Sequence, residues 1–154
     1  MSEYTIREAN GADVDEIVKI ERENNSSLWK SESYQSAIKQ ESQQIYVVEK
    51  GEEPIIAGYL VGLLAADELT LMHVVVAQEH RQQGLAAKLY HHWLAEVQQA
   101  NEVKTVWLEV RTSNIAAQSL YKKLGFELVT VRRGYYSNPK EDAFLMRSEM
   151  ESLD

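Results

Sequence analysis

Three changes of period from Leu69 onward constrain this chain more than any other feature. "LTLMHVVVA" (Leu69 to Ala77) is a short apolar run rich in β-branched residues. Beyond it Leu85, Leu89, Trp93 and Val97 recur every four residues, which is helical spacing. "KTVWLEV" returns to strand composition, and from Ile115 the apolar positions are helical again. Strands joined through a helix lie parallel, because the crossover carries the chain back to the same end of the sheet.

The first half reads differently. "YTIRE" is a strand. "NGADVDEIVKIERENN" is a helix with Val14, Ile17 and Val18 on one face and Asn10 as its cap, and "SESYQSAIKQES" is a weaker helix. "QIYVVEK" and "PIIAGYLVGLLA" are strands joined by "GEEP", and the short turn "DE" leads to the next strand; such a meander pairs antiparallel. "FELVTV" and "DAFLMRSEM" are the last strands, on either side of a loop "RRGYYSNPKE". The order β α α β β β α β α β β predicts a mixed α/β (α+β) fold. Its sheet is twisted, of about seven strands, with helices on both faces.

A length of 154 residues fits a single domain spanning 1–154, and 44 % hydrophobic residues suffice for a core. No apolar run reaches the ~18 residues of a membrane span. "MSEYTIREAN" lacks the basic and apolar regions of a secretion signal. The absence of cysteine removes disulfides, thiolate ligands and a cysteine nucleophile, and fits a cytoplasmic protein. A net charge of −8 disfavours nucleic acid and favours a cationic partner, an amine or a basic protein tail. A monomer or weak homodimer is expected.

The segment "VVVAQEHRQQGLAAKL" puts a strand, a short loop and a helix start in succession. A helix N-terminus offers unpaired N–H groups and a partial positive charge, so a tight loop before it can cup a phosphate. Gly84 lets a ligand approach the backbone, Ala86 adds only a methyl, and Arg81 can add a charge. A plain strand-to-helix bend accounts for the same glycine. The three glycines of a dinucleotide fingerprint and the Gly-Lys-Ser/Thr of a phosphate-loop nucleotidase are missing.

"WLEVRTSNIAAQSLYKKLGF" carries two ionisable groups at buried-looking positions, Glu109 in the strand and Tyr121 in the helix. Trp107, Glu109 and Arg111 share one strand face, and the turn "RTSN" is expected to fold the helix back so that Glu109 and Tyr121 face one cleft. Glu109 also has a purely structural reading, as the partner of Arg111 or Arg132. Tyr121 has one too, as a core phenol with a satisfied hydroxyl.

Taken together, "RQQGLA" opening a helix, "DELTLMHVVV", "WLEVRTSN", "LYKKLGF", "RRGYY" and "KEDAFLM" resemble the GNAT superfamily of N-acetyltransferases, and within it the bacterial ribosomal-protein-alanine (RimI) type. The likeness runs from about Asp67 to Met146. It implies the mixed fold read above and acetyl-CoA as acetyl donor, without a metal. It implies that the backbone of Val74, Val75 and Val76 lines the acetyl-pantetheine arm. Arg81, Gln82, Gln83, Gly84, Leu85, Ala86 and Ala87 would cradle the pyrophosphate, and Asn114 would contact the same molecule. By the same resemblance Glu109 is the general base and Tyr121 the general acid. Tyr135 and Tyr136 would shape the acceptor slot, although aromatic loop packing explains them as well.

The RimI type carries an aromatic-Pro-Trp turn after its first helix; here "NNSSLWKSES" supplies Trp29, assigned to acceptor binding, but no proline. His73 stands beside the expected acetyl site, either as an auxiliary base or as a half-buried strand residue. His80, His91 and His92 lack metal-ligand spacing. The acceptor implied is a protein N-terminus, an alanine on a small-subunit ribosomal protein. Acetylation of a lysine, a polyamine or another small amine is the alternative, and a non-catalytic CoA-binding module is the alternative from another class.

Overall fold

The computed structural model of the chain describes residues 3–24, 30–52, 55–137 and 139–150. Strands β1 (Tyr4–Glu8), β2 (Gln43–Lys50), β3 (Ile55–Ala65), β4 (Glu68–Val76), β5 (Thr105–Arg111), β6 (Glu127–Ser137) and β7 (Lys140–Glu149) form one sheet in the order β1-β2-β3-β4-β5-β7-β6. Helices α1 (Val14–Glu23), α2 (Ser31–Ile38), α3 (Leu85–Gln98) and α4 (Ile115–Lys123) cover it.

The alternation along the central strands splits the interior in two. Leu60, Leu69, Leu71, Leu108 and Met146 point to the face where α3 buries Leu85, Leu89 and Trp93. Val47, Tyr59 and Val61 point to the other, where α1 and α2 bury Val14, Ile17 and Tyr34. The four-residue stripe of α3 is buried throughout, and each such side chain contributes about 2 kcal/mol. Trp93 reaches the sheet because Gly62 has no side chain: a Cβ there would lie 2.3 Å from the indole. Asn10 and Asp13 form a reciprocal cap ahead of α1, and Arg7 clamps Asp13 through paired contacts of 2.8 and 2.9 Å while also pairing with Glu49.

Two expectations need correction. The helix α3 joins β4 to β5 in parallel, as read from the sequence, but β6 does not pair with β5. β7 lies between them, antiparallel to both. The reason is burial: β7 buries Ala143, Met146 and Ser148 and suits an interior place, whereas β6 is exposed along nearly its whole length and takes the edge. The "RRGYYSNPKE" loop is also mostly strand. The ladder slips twice, between Leu128 and Thr130 and between Arg132 and Tyr136, and Gly134 takes a φ of 62° with its N–H donating to Asp142 Oδ1 at 2.7 Å. Such bulges break the period of two that the sequence reading relied on.

Candidate active site

β4 and β5 are bonded only from Glu68 opposite Thr105 to Leu71 opposite Leu108. At the next residue β4 bulges. Val61 of β3 faces His73 and Gly62 faces Leu71, so Met72 has no partner and the strand bends away. From there β4 and β5 diverge and leave a wedge through the sheet. The main chain of Val74, Val75 and Val76 forms one side of this wedge, and Glu109, Val110 and Arg111 form the other. Toward β5, alternate residues of this part of β4 present N–H groups outside any ladder, where they can hold an oxyanion.

At the top of the wedge the chain turns into α3. Gln82 and Gly84 both take positive φ, 65° and 73°. Gly84 is the N-cap of α3, and no side chain caps the helix. The first N–H groups of α3, at Leu85, Ala86 and Ala87, are therefore open to an anion. A Cβ on Gly84 would meet no atom within 4 Å, so the space before these amides is clear. Such a cup of backbone N–H groups has the polarity that suits a pyrophosphate. Arg81 is differently employed: its Nε donates to the Val76 carbonyl at 3.1 Å and its Nη2 to Asn24 at the end of α1, so it pins the loop. Asn114 caps α4, its Oδ1 accepting from Ala117 N at 3.2 Å.

Glu109 and Tyr121 do not share a face. Glu109 alternates with Leu108 and Val110, which belong to the core under α3, so its carboxylate points to the face that carries α1 and α2. Tyr121 packs against that α3-side core with Val74, Val76 and Ala117, edge-on to Phe126 at 5.9 Å. The expected common cleft is thus the wedge itself, bordered by the two groups from opposite sides of the sheet. Burial pushes the Tyr121 phenol up to about 12, so it keeps its proton at neutral pH.

Around Glu109 the structure gathers Arg132, whose Nε lies 3.2 Å from Oε2, and Tyr135 and Tyr136. Burial and then neighbouring charge, Glu109 included, raise both phenols, that of Tyr136 to about 12. The two rings meet edge-to-face at 5.0 Å, and the Arg111 guanidinium lies 4.1 Å over Tyr136. Glu109 Oε2 is buried yet accepts no protein hydrogen bond. His73 lies on the same face across the wedge, and burial lowers its imidazole to about 4, leaving it neutral. Trp29 lies outside the described residues.

Sequence reasoning missed two residues that shape this site. Glu141 binds the "RTSN" turn, and Gln118 Nε2 donates to the carbonyls of Arg111 and Thr112 at 3.1 and 3.0 Å. Both act across chain distance, and no local pattern marks them.

Comparison with known proteins agrees with this geometry. The family model described as the acetyltransferase (GNAT) family matches residues 14–126. The [ribosomal protein bS18]-alanine N-acetyltransferase of Escherichia coli (strain K12) is 31 % identical over 144 residues, covering 92 % of this chain and 95 % of that protein. An N-alpha-acetyltransferase of Sulfurisphaera tokodaii is 32 % identical over 160 residues, covering 96 % and 94 %. The crystal structure of the ribosomal-protein-S18-alanine N-acetyltransferase from Escherichia coli superposes with a TM-score of 0.84 at 30 % identity, over 98 % of this chain and 97 % of that one. The chain belongs to the acetyltransferase (GNAT) family: it is an N-acetyltransferase, and acetyl-CoA is its acetyl donor.

Proposed function

We propose that this enzyme acetylates the α-amine at a protein N-terminus, and that its preferred acceptor is an N-terminal alanine of a small-subunit ribosomal protein. The observation that carries the reading is Glu109 Oε2, a buried oxygen at the mouth of the wedge that accepts no protein hydrogen bond. An amine must be neutral to attack a thioester. An α-amine with pKa near 8 is roughly 10 % neutral at pH 7, whereas a lysine near 10.4 is only about 0.04 % neutral. The difference is about 3 kcal/mol of deprotonation, so a carboxylate base suits an α-amine better. The names of the two relatives above, one acting on an alanine of bS18 and one an N-alpha-acetyltransferase, support the same acceptor class.

The bound donor supplies an activated thioester. In this reading the uncapped start of α3, from Gln82 to Ala87, holds its pyrophosphate, with Asn114 alongside, and the backbone of Val74, Val75 and Val76 aligns its arm in the wedge. Arg81 braces that loop. Glu109 takes the amine proton on one face of the sheet as the nitrogen–carbon bond forms. Tyr121 gives a proton to the departing sulfur on the other. Tyr135 and Tyr136 bound the acceptor side. Placing base and acid on opposite faces separates the two proton transfers and fits direct transfer without an acetylated enzyme.

Thioester consumption with an Ala-initiated peptide, an N-terminally blocked peptide with internal lysine, and a polyamine tests the acceptor. The free N-terminus is expected to react fastest by about 100-fold or more, in line with the neutral fractions. Reaction of the polyamine alone would exclude the proposal. Glu109→Gln and Tyr121→Phe are each expected to lower kcat by about 100-fold. Unchanged rates would remove their roles.

A further inference from the structure

The bulge that opens the wedge also shapes a groove beside it. Met72, left without a partner on β3, lines a groove of about 540 Å³ with Leu63 of β3, Gln43 of β2, and Glu32, Ser33 and Ser36 of α2. The groove lies on the face that carries Glu109. Leu63 alternates with Leu64, which packs against the core under α3, so Leu63 points to the side of α1 and α2. In register Leu63 stands opposite Thr70, and Thr70 opposite Trp107, which shares its face of β5 with Glu109. Met72 follows Leu71, the last residue of β4 paired with β5. The groove therefore opens beside Glu109. Trp107 Nε1 is buried in the same row without a hydrogen-bond partner, a donor that a peptide carbonyl can satisfy.

The lining has a definite chemistry. Leu63 and the exposed Met72 form an apolar floor, and an unbranched thioether adapts to the shape of what lies on it. Gln43 donates its amide to Gln40 at 3.0 Å, which leaves its oxygen as an acceptor. Glu32 is the charged residue of the lining, and among the described residues its carboxylate makes no ion pair or hydrogen bond. An acid in the first turn favours α2 itself, but that role is indifferent to the acceptor. Apolar floor, free acceptor and unpaired negative charge together match a long aliphatic stem with a cationic end. The net charge of −8 draws such a ligand in and repels an acidic one.

We infer that this groove is an acceptor subsite for a basic side chain, arginine or lysine, that follows the reactive N-terminus: its stem lies on Leu63 and Met72 and its charge meets Glu32. The inference rests on the α-amine reading, with the reactive nitrogen at Glu109. Neighbouring strands lie about 4.8 Å apart, so β3 is roughly 10 Å from β5, a span of about three extended residues. The basic residue therefore belongs at position 2, 3 or 4 of the acceptor.

The test is a set of otherwise neutral Ala-initiated peptides carrying Arg, Met or Glu at position 2, 3 or 4, assayed with wild type, Glu32→Gln and Glu32→Lys. At one of these positions the wild type is expected to show a KM about fivefold lower for Arg than for Met, the upper range for an exposed ion pair. The ratio is expected to fall to about one in Glu32→Gln, and in Glu32→Lys the Glu peptide becomes the better substrate. Each ratio is read within one protein, so a change in stability or overall rate cancels. Equal KM for Arg and Met at all three positions, or an Arg preference that survives in Glu32→Lys, overturns the subsite while leaving α-amine acetylation in place. Failure of every Ala-initiated peptide to react would overturn the acceptor reading, and the subsite with it.

Discussion

Glu141 of β7 closes the turn between β5 and α4, its Oε2 accepting from the backbone N–H of Ser113 at 2.6 Å and from Thr112 Oγ1 at 3.2 Å. Its other oxygen faces Arg111 at 3.3 Å. Hydrogen bonding from the Ser113 side chain foremost, with the Ser113 backbone, Arg111 and Thr112 adding to it, holds the carboxyl below the ordinary range. A depressed folded-state pKa means that the clamp is complete above the unfolded value and is lost as pH falls through the folded one. The turn sets where α4 starts and therefore where Tyr121 stands. Glu141→Ala is expected to lower kcat by about tenfold at neutral pH with a smaller change in the KM for acetyl-CoA, since misplacement of the proposed acid Tyr121 costs rate first. Steady-state kinetics checks it; a loss confined to KM would show that the turn serves binding instead.

The seat of Trp93 on Gly62 gives a stability prediction. A methyl at Gly62 would meet Cζ2, Cε2 and Nε1 of the indole at 2.3 to 2.5 Å, and the ring is fixed by its Nε1 donating to Gln44 at 2.9 Å. Gly62→Ala is expected to destabilise the protein by about 1–3 kcal/mol, as overpacking does. Gly62→Ala combined with Trp93→Leu is expected to cost less than the sum of the two single changes, because the smaller side chain clears the clash. Urea unfolding of the four proteins measures both.

The elements were legible wherever the pattern was local. The stripe of Leu85, Leu89, Trp93 and Val97 gave α3, the alternation around Glu109 gave β5, and the glycine at 84 marked the bend into α3, because each depends on residues close in sequence. What the sequence hid depends on bulges and on long-range insertion. The unpartnered Met72 that opens the wedge leaves no compositional mark, and neither does the slip around Gly134 that turns the expected loop into strand. The side of the sheet reached by α4 follows from crossover geometry, so the expectation that Glu109 and Tyr121 share one face failed. Glu109 had two candidate arginine partners in the sequence; Arg111 is taken by Glu141, and Arg132 is the one left to it.

His73 makes the fold sensitive to mild acid. Burial lowers its pKa from 6.5 to about 4. As pH drops below the unfolded value, the unfolded chain binds the proton and the folded chain does not, so stability falls between about pH 6.5 and 4 and levels off below. A difference of about 2.5 units corresponds to at most about 3 kcal/mol. In His73→Gln, unfolding free energy should be flatter across this window than in the wild type. Parallel curves would assign the acid sensitivity to other groups.

Gly84 separates binding of the donor from integrity of the fold. Its φ of 73° is left-handed, which costs a non-glycine residue roughly 1–2 kcal/mol, and a β-branched side chain more. The space a side chain would enter is free of protein atoms, so no packing is disturbed. Gly84 immediately precedes the amides of Leu85, Ala86 and Ala87, which an anion must approach to meet the helix N-terminus. Gly84→Ala is therefore expected to lower stability by about 1 kcal/mol and to raise the KM for acetyl-CoA several-fold. Gly84→Val should raise it by about tenfold or more, with kcat at saturating donor changing less. Titration with desulfo-CoA, which keeps the pyrophosphate and lacks the reacting sulfur, isolates the effect. Unchanged affinity in both variants would move the pyrophosphate elsewhere and leave the uncapped start of α3 without a ligand.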